Sequence, residues 1–237
     1  MRQHPGFTAP MLPLFIMKRI LLLLSCCALL SISAQEKKSI AEAEPTRHHL
    51  VSISGALTSV DTWELDFSYH YMFLPYIGIG GSFGFWEQYY TDGYPSGPNW
   101  NIQDDDEKMN NLYLRPSLFL QSPKLFGIRD AVFKLFAQPG ISLNVPYKSA
   151  WVEIVRDYQV IDTKRISTIR GQWAAYDFRG GISMNVGEFG ILAGYCTSNL
   201  DISGMARHLS YNGTPFRQFY PKRRQIHGAF LAMTYRF

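Results

Sequence analysis

The residues best suited to chemistry are few and scattered. His208 and Ser210 stand two positions apart, an imidazole base near a hydroxyl that could act as a nucleophile. Such a pair needs a third group, usually an acid, to orient the base, and the surrounding sequence supplies no clear acid. We therefore expect no catalytic site, and keep His208 and Ser210 as weak catalytic candidates.

The sequence also has few residues arranged to bind a metal ion or a cofactor. The acidic run at 104–107 offers carboxylates to Ca²⁺, but it lacks the spaced ligands and turn glycine of a calcium loop, so we interpret it as a solvated loop tip. His48 and His49 are adjacent and would point to opposite faces of a strand. Cys196 lies in an apolar stretch and is expected to be a small buried hydrophobe. The sequence predicts no metal and no cofactor.

The first 34 residues have the composition of an export signal. Lys18 and Arg19 precede a short apolar run, and small residues lead to Ala34. We expect a signal peptide over 1–34, whose true start is Met1 or Met17, and then a short tail over 35–46.

Charge gives no sign of a nucleic-acid partner. The signal holds three basic residues and no acid, so the remaining chain carries 20 basic and 19 acidic side chains. Aromatic residues make up 15% of the chain and charged residues 18%, against roughly 25% charged in an average soluble domain. This composition excludes a disordered chain and gives no support to nucleic-acid binding.

Apolar and polar residues alternate along most of the chain after residue 34. The clearest case is 63–73, where every odd position from Trp63 to Phe73 is large and apolar. On a strand this pattern separates the two classes onto two faces, whereas a helix would mix them. Eight segments show it and predict eight strands: 51–57, 63–73, 77–85, 112–121, 133–145, 176–186, 189–195 and 229–237.

The long connections between these strands lie on one side of the predicted sheet, and mostly short turns lie on the other. The long polar ones are 88–109, 147–170 and 199–224, and all three fall on the same side of an up-and-down sheet. Long loops on one side and short turns on the other are the layout of a transmembrane β-barrel. We expect 151–170 to form a hairpin above the membrane. The alternative is that these residues cross it, which would give ten strands.

The apolar face is predicted to contact lipid rather than to fill the barrel. The opposite face is rich in Gly and Ser with few charges, as a narrow packed interior requires, whereas a soluble exterior would carry many charged residues. Aromatic side chains also cluster near strand ends, as they do at membrane interfaces: Trp63, Phe73, Tyr76, Phe85, Tyr235 and Phe237.

The alternation of apolar residues continues through 229–237. The alternation of Ala229, Leu231, Met233, Tyr235 and Phe237 resembles the C-terminal signal of outer-membrane barrels. Together with the signal peptide and eight strands, 47–237 is similar to the small outer-membrane barrels of the OmpA transmembrane-domain and OmpX kind.

The resemblance implies a closed, all-β, antiparallel transmembrane barrel in the outer membrane of a Gram-negative-type bacterium. Its partners would be membrane lipid, lipopolysaccharide and the outer-membrane insertion machinery, with Tyr235 and Phe237 as the insertion signal of a monomer. Pro116 and Pro139 depart from the pattern because each removes a donor inside a strand, and we expect bulges there.

Charges on the inner face cannot remain unpaired in a narrow lumen. Asp66, Arg115, Asp177 and Arg179 fall at similar depth with balanced charge. We therefore predict an interior ion-pair network among these four residues, as part of a polar plug.

The last long loop is basic and could contact lipopolysaccharide phosphates, although loop solubility explains it equally well. Its candidates are Arg207, Arg217, Lys222, Arg223 and Arg224. The sequence thus favours a structural or surface-binding barrel with a polar plugged interior, three long extracellular loops and an unknown surface ligand. The alternatives are a small porin, or a lipid A-modifying enzyme that uses His208 and Ser210.

Overall fold

The computed structural model describes residues 47–88, 94–103, 111–220, 222 and 225–237. The predicted signal and tail, the acidic run at 104–107, Arg223 and Arg224 lie outside the described residues. Within them, no helix has the length and apolar character needed to cross a membrane.

The described chain is built from short and long strands in a single succession. In order they are β1 (His49–Thr58), β2 (Thr62–Leu74), β3 (Ile77–Gln88), β4 (Ser96–Gly97), β5 (Trp100–Gln103), β6 (Leu112–Gln121), β7 (Phe126–Ile128), β8 (Ala131–Asn144), β9 (Lys148–Arg156), β10 (Gln159–Thr168), β11 (Ala174–Val186), β12 (Phe189–Ser198), β13 (Ser210–Tyr211), β14 (Thr214–Pro215) and β15 (Ile226–Arg236).

Eight long strands form a closed antiparallel barrel. Their order is β11, β12, β15, β1, β2, β3, β6 and β8, and pairing of β8 with β11 closes the ring. β7 adds a short extra strand beside β8. First and last strands are neighbours, with Val51 opposite Tyr235. The prediction of eight strands in a closed barrel is confirmed, and closure leaves no backbone edge to face lipid.

The 151–170 segment does not cross the membrane. β9 and β10 pair with each other, and β9 also pairs with β5, in a separate four-stranded sheet that includes β4. The ten-stranded alternative is therefore wrong. Only 145–147 separate β8 from β9, so this sheet begins directly at the end of the barrel that carries the long connections.

The two faces of the barrel strands have opposite exposure. Phe67 and Ile141 are 57% and 52% exposed, whereas Asp66 and Ser68 are 3% and 4% exposed. An apolar belt outside and polar groups inside is the reverse of a water-soluble barrel. It is the arrangement expected when the surrounding solvent is hydrocarbon.

The two strand prolines are accommodated without the bulges expected from the sequence. Leu114 pairs with Leu143 and Ser117 with Gly140, so the register between β6 and β8 does not shift. The bridges at Pro116 and Pro139 are instead absent from this ladder, while each proline is paired on its other side. Both prolines thus interrupt the same seam.

Candidate functional site

Charged side chains from opposite walls meet in the lumen. Arg115 donates hydrogen bonds to Asp66 at 3.2 Å and to Asp177 at 3.1 Å. Arg179 lies 2.7 Å from Asp66 and 2.9 Å from Glu64. The structure therefore brings the four predicted network residues together, and adds Glu64 as a fifth member.

The barrel topology explains how these residues reach one another. Arg179 is on β11 and its acidic partners are on β2, four strands away in the ring, so the guanidinium spans the lumen. Small residues leave the necessary room. A Cβ on Gly84 would stand 2.3 Å from the Tyr113 ring, and one on Gly140 would stand 3.2 Å from Arg115 Cγ.

Neutral groups add hydrogen bonds to the charged residues. Tyr113 donates its hydroxyl to Asp66 at 3.1 Å, and Arg179 donates to the Ser54 hydroxyl at 2.8 Å. Arg115 and Arg179 are each only 1% exposed. Burial this complete makes every unmatched charge costly, so the network holds the opposite walls of the barrel together.

Sequence reasoning missed Glu64, although the alternation contained the signal. Glu64 lies two positions before Asp66 and therefore shares its face of β2. A strand that places Asp66 in the lumen places Glu64 there too. With it, three acids face two arginines in the network.

A second polar cluster adjoins the first. The Ser117 hydroxyl lies 2.9 Å from His70 Nε2 and accepts a hydrogen bond from Gln138 at 3.1 Å. His70 is 1% exposed. These residues come from β2, β6 and β8, and they fill the lumen behind the seam that the two prolines interrupt.

The lumen also contains an apolar layer, which the predicted polar interior did not include. Phe136 stacks on Phe119 with ring centres 6.0 Å apart and meets Phe230 edge-on at 5.8 Å. All three rings are nearly inaccessible to solvent. The buried apolar cluster comprises Leu50, Ala56, Met72, Phe119, Phe136, Leu192, Cys196, Phe230 and Ala232.

The segments that connect the barrel strands at one end of the barrel form a folded unit, here called the cap: β4, β5, β9, β10 and residues 199–220. Val152 and Phe216 are 0% and 1% exposed, and the rings of Trp100 and Phe216 stack at 5.8 Å. The core of the cap contains Trp100, Ile102, Ala150, Val152, Leu209 and Phe216. Segments that the sequence presented as polar loops thus share a hydrophobic core.

The cap gives His208 and Ser210 no catalytic geometry. His208 ends the short 3₁₀ turn Ala206–His208, Ser210 begins β13, and both side chains are exposed on either side of buried Leu209. Across the part of the chain that the structure describes, no hydrogen bond joins the two side chains, and none joins His208 to an acid. The arrangement lacks the base–nucleophile contact that acyl transfer needs.

The basic residues of the last loop do not form one common surface. Arg207 pairs with Asp201 inside the cap, while Arg217 and Lys222 are exposed. Arg207 therefore stabilises the cap. Of the described residues of the predicted rim, Arg217 and Lys222 are the ones that stay exposed.

The C-terminal residues lie at the seam that closes the ring. Phe237 exchanges backbone hydrogen bonds of 2.9 Å with His49, and their rings stack at 5.1 Å. Tyr235 donates its hydroxyl to Glu188 at 2.8 Å.

His48, the neighbour of His49, stacks on the Tyr71 ring. Over the described ranges no cluster of metal-ligating side chains is found.

Comparison with known proteins finds similarity at the level of fold. No family model and no curated protein matches this chain. The N-terminal β-barrel domain of Pseudomonas aeruginosa OprF covers 82% of this chain and 100% of its own, with TM-score 0.42 and 8% identity. Neisserial surface protein A covers 83% and 100%, with TM-score 0.39 and 11% identity.

A major outer membrane protein from Thermus thermophilus covers 81% of this chain and 100% of its own, with TM-score 0.41 and 13% identity. These likenesses concern the fold alone, and none of them assigns a role to a residue of this chain.

Proposed function

We propose that the protein is an integral outer-membrane barrel, exported by a cleaved signal, that anchors a folded binding surface outside the cell. The observation that carries this proposal is the contrast between a filled lumen and a cap with its own core. A filled lumen makes the barrel an anchor, and a structured cap presents fixed side chains to a ligand at low entropic cost.

Several features support a membrane anchor over a channel. The lumen holds a charged network, a polar cluster and an apolar layer, and the network meets that layer where the Arg179 guanidinium lies 5.4 Å from the centre of the Phe230 ring. Phe119 and Phe136 stack on neighbouring strands, and Phe136 reaches Phe230 on a strand three positions away in the ring, so these rings occupy the lumen at their level. Interiors of eight-stranded barrels are generally wide enough only for their own side chains.

Planar bilayers test the sealed lumen against the small-porin alternative. We expect no single-channel steps from the wild-type protein. The double variant Phe119→Ala/Phe136→Ala removes two rings from the apolar layer and serves as the sensitivity control, because any opening should appear there first. Regular steps from the wild type would overturn the sealed anchor.

Cysteine labelling in intact cells tests the orientation of the chain. Tyr158, at the far end of the β9–β10 hairpin, is 103% exposed, and Lys124 lies in an exposed turn at the opposite end of the barrel. In a Cys196→Ser background, Tyr158→Cys should react with a membrane-impermeant maleimide in intact cells. Lys124→Cys should react only after the outer membrane is opened, and the reverse result would contradict the orientation.

We also propose that the insertion machinery of the outer membrane reads Tyr235 and Phe237. Their position at the closing seam supports this, because β15 must be available until β1 pairs with it. Deleting Phe237 should lower the fraction of heat-modifiable, assembled protein in cells while leaving refolding in detergent intact. Equal loss in both would indicate a purely structural role.

A further inference from the structure

Strand β10 is the free edge of the sheet in the cap. The strand order of that sheet is β10, β9, β5 and β4, so among the described strands β10 pairs with β9 alone. Eight of its ten residues are exposed, all except Ile166 and Thr168. An exposed edge strand is a template on which a further strand can pair. β10 thus offers an open edge to a second chain.

The backbone of Thr163 points out of this sheet. Neighbouring residues of a strand direct their N–H and C=O groups to opposite sides. In β9, Val155 donates its N–H to the Asn99 carbonyl at 2.9 Å, so the odd-numbered residues of β9 face β5 and the even-numbered ones face β10. Lys164 is opposite an even-numbered residue of β9, and Thr163 therefore faces the open edge. Its N–H donates instead to the Asp162 carboxylate, at 2.8 Å.

The charges around Thr163 make this edge complementary to itself. Asp162 and Lys164 flank Thr163, lie on one face of β10 and are both exposed. When a second β10 pairs antiparallel about Thr163, each Asp162 stands opposite the Lys164 of the other copy. Pairing centred on Lys164 or on Arg165 would place that cation opposite itself. Opposite charges stabilise a cross-strand pair and like charges destabilise it, so charge selects the register centred on Thr163.

The same edge is protected against indiscriminate pairing. The register of β10 shifts between Val160 and Asp162, and a β-bulge of this kind interrupts an edge and turns it away from other strands. The regular part that remains for pairing begins at Asp162. The Asp162 carboxylate also occupies the N–H of Thr163 until a cation draws it away. A second copy supplies that cation through Lys164, whereas an arbitrary strand does not.

Exposed apolar residues at the two ends of the hairpin match in this register. Tyr158, in the turn between β9 and β10, is 103% exposed, and Ile169, just after β10, is 73% exposed. Pairing about Thr163 brings Tyr158 of one copy near 167–169 of the other. Tyr158 has a φ of 64°, a conformation that glycine or asparagine adopts at less cost, and Asn212 and Gly213 fill the corresponding turn between β13 and β14. The strained tyrosine is thus kept where its ring meets an apolar side chain of the second copy.

We propose that two copies of this chain, in two facing membranes, bind each other by antiparallel pairing of their β10 strands about Thr163. Such a pair is related by a two-fold axis perpendicular to the sheet. Because the β9–β10 hairpin leads directly from β8 and back into β11, the two barrels then point in opposite directions and do not share one membrane. Each contact is small, and many copies in each membrane act together. The inference rests on the proposed function, an outer-membrane anchor that presents the cap outside the cell.

Light scattering by phosphatidylcholine vesicles that carry the purified protein tests the contact. Wild-type vesicles should aggregate, and their aggregation should weaken at high salt. Asp162→Lys and Lys164→Asp should each abolish it, because every copy then opposes like charges. A mixture of the two variant vesicles should aggregate again, because each variant offers the charge that the other lacks. Lys222→Asp makes the same change of charge at an exposed residue outside the contact and should aggregate as the wild type does.

Three results would overturn the proposal: wild-type vesicles that stay dispersed, a single variant at Asp162 or Lys164 that aggregates as the wild type does, or a mixture of the two variants that stays dispersed. Recovery in the mixture is the decisive result, because a variant that had merely failed to fold would not regain aggregation. Failure of the proposed membrane anchor is a separate outcome, because it would appear as loss of heat-modifiable migration in the wild-type protein.

Discussion

The barrel and the cap are both antiparallel β-structure, yet the barrel turns apolar side chains outward and encloses a charged network, whereas the cap encloses an apolar core. In the barrel, Phe67 faces outward and Asp66 faces inward; in the cap, Val152 is enclosed and polar groups face water. The difference follows from the solvent on the outer side, which is hydrocarbon for one and water for the other. Whether an exposed apolar residue is favourable therefore depends on whether lipid or water surrounds that part of the chain.

The largest effect that separates the two regions should come from a buried arginine. Arg179→Ala leaves Glu64 and Asp66 without their closest cation, and breaking a buried network costs about 3–5 kcal/mol. We expect the free energy of unfolding in lipid vesicles to fall by about that amount, measured by urea titration with tryptophan fluorescence.

The matched change in the cap is Arg165→Ala. Its guanidinium belongs to an exposed side chain that lies against Trp151 and Ser149, so the expected loss is about 0–1 kcal/mol. Similar losses for the two arginines would remove the distinction between the buried network of the lumen and the solvated surface of the cap.

A charge placed on an exposed apolar residue should separate the regions next. Ile141 on the barrel and Val160 on the cap are both 52% exposed. Ile141→Arg should cost about 2–4 kcal/mol in vesicles because the side chain enters hydrocarbon. Val160→Arg should be nearly neutral because it faces water, and a large loss there would place the far end of the β9–β10 hairpin in lipid.

The smallest effect on the barrel should come from the cap core. Phe216→Ala removes a fully enclosed ring, which costs about 3–5 kcal/mol where the ring packs. We expect that loss to appear as faster proteolysis of the cap, while barrel unfolding in urea stays unchanged. Coupled loss of both would show that cap and barrel fold as one unit.

The barrel was predictable because the alternation within each strand, taken alone, assigns its residues to two opposite faces. From Trp63 to Phe73 the alternation runs over eleven positions, enough to assign a strand without knowing its neighbours. The charged positions Asp66, Arg115, Asp177 and Arg179 followed from the same parity. Glu64 was missed although it shared that parity, because the prediction balanced charges rather than following the strand.

The cap was not predictable as a packed unit because its core is assembled from distant, short pieces. β5 is only four residues long, below the length at which alternation is informative. Its Trp100 packs on Phe216, and no local pattern links residues so far apart. The alternation does place Phe119 and Phe230 on the inner face. It does not show that they pack together as an apolar layer, because the interior was expected to be polar.

The central claim is that odd positions of β2 touch lipid while even positions face the lumen. The most direct measurement is a nitroxide scan of 63–73 in vesicles, in a Cys196→Ser background, with oxygen and a water-soluble nickel chelate as the two relaxing agents. Collision with oxygen should peak at Leu65, Phe67 and Tyr69 and fall at the positions between them. Peaks of nickel collision at those same odd positions would show water on the apolar face and contradict the transmembrane barrel.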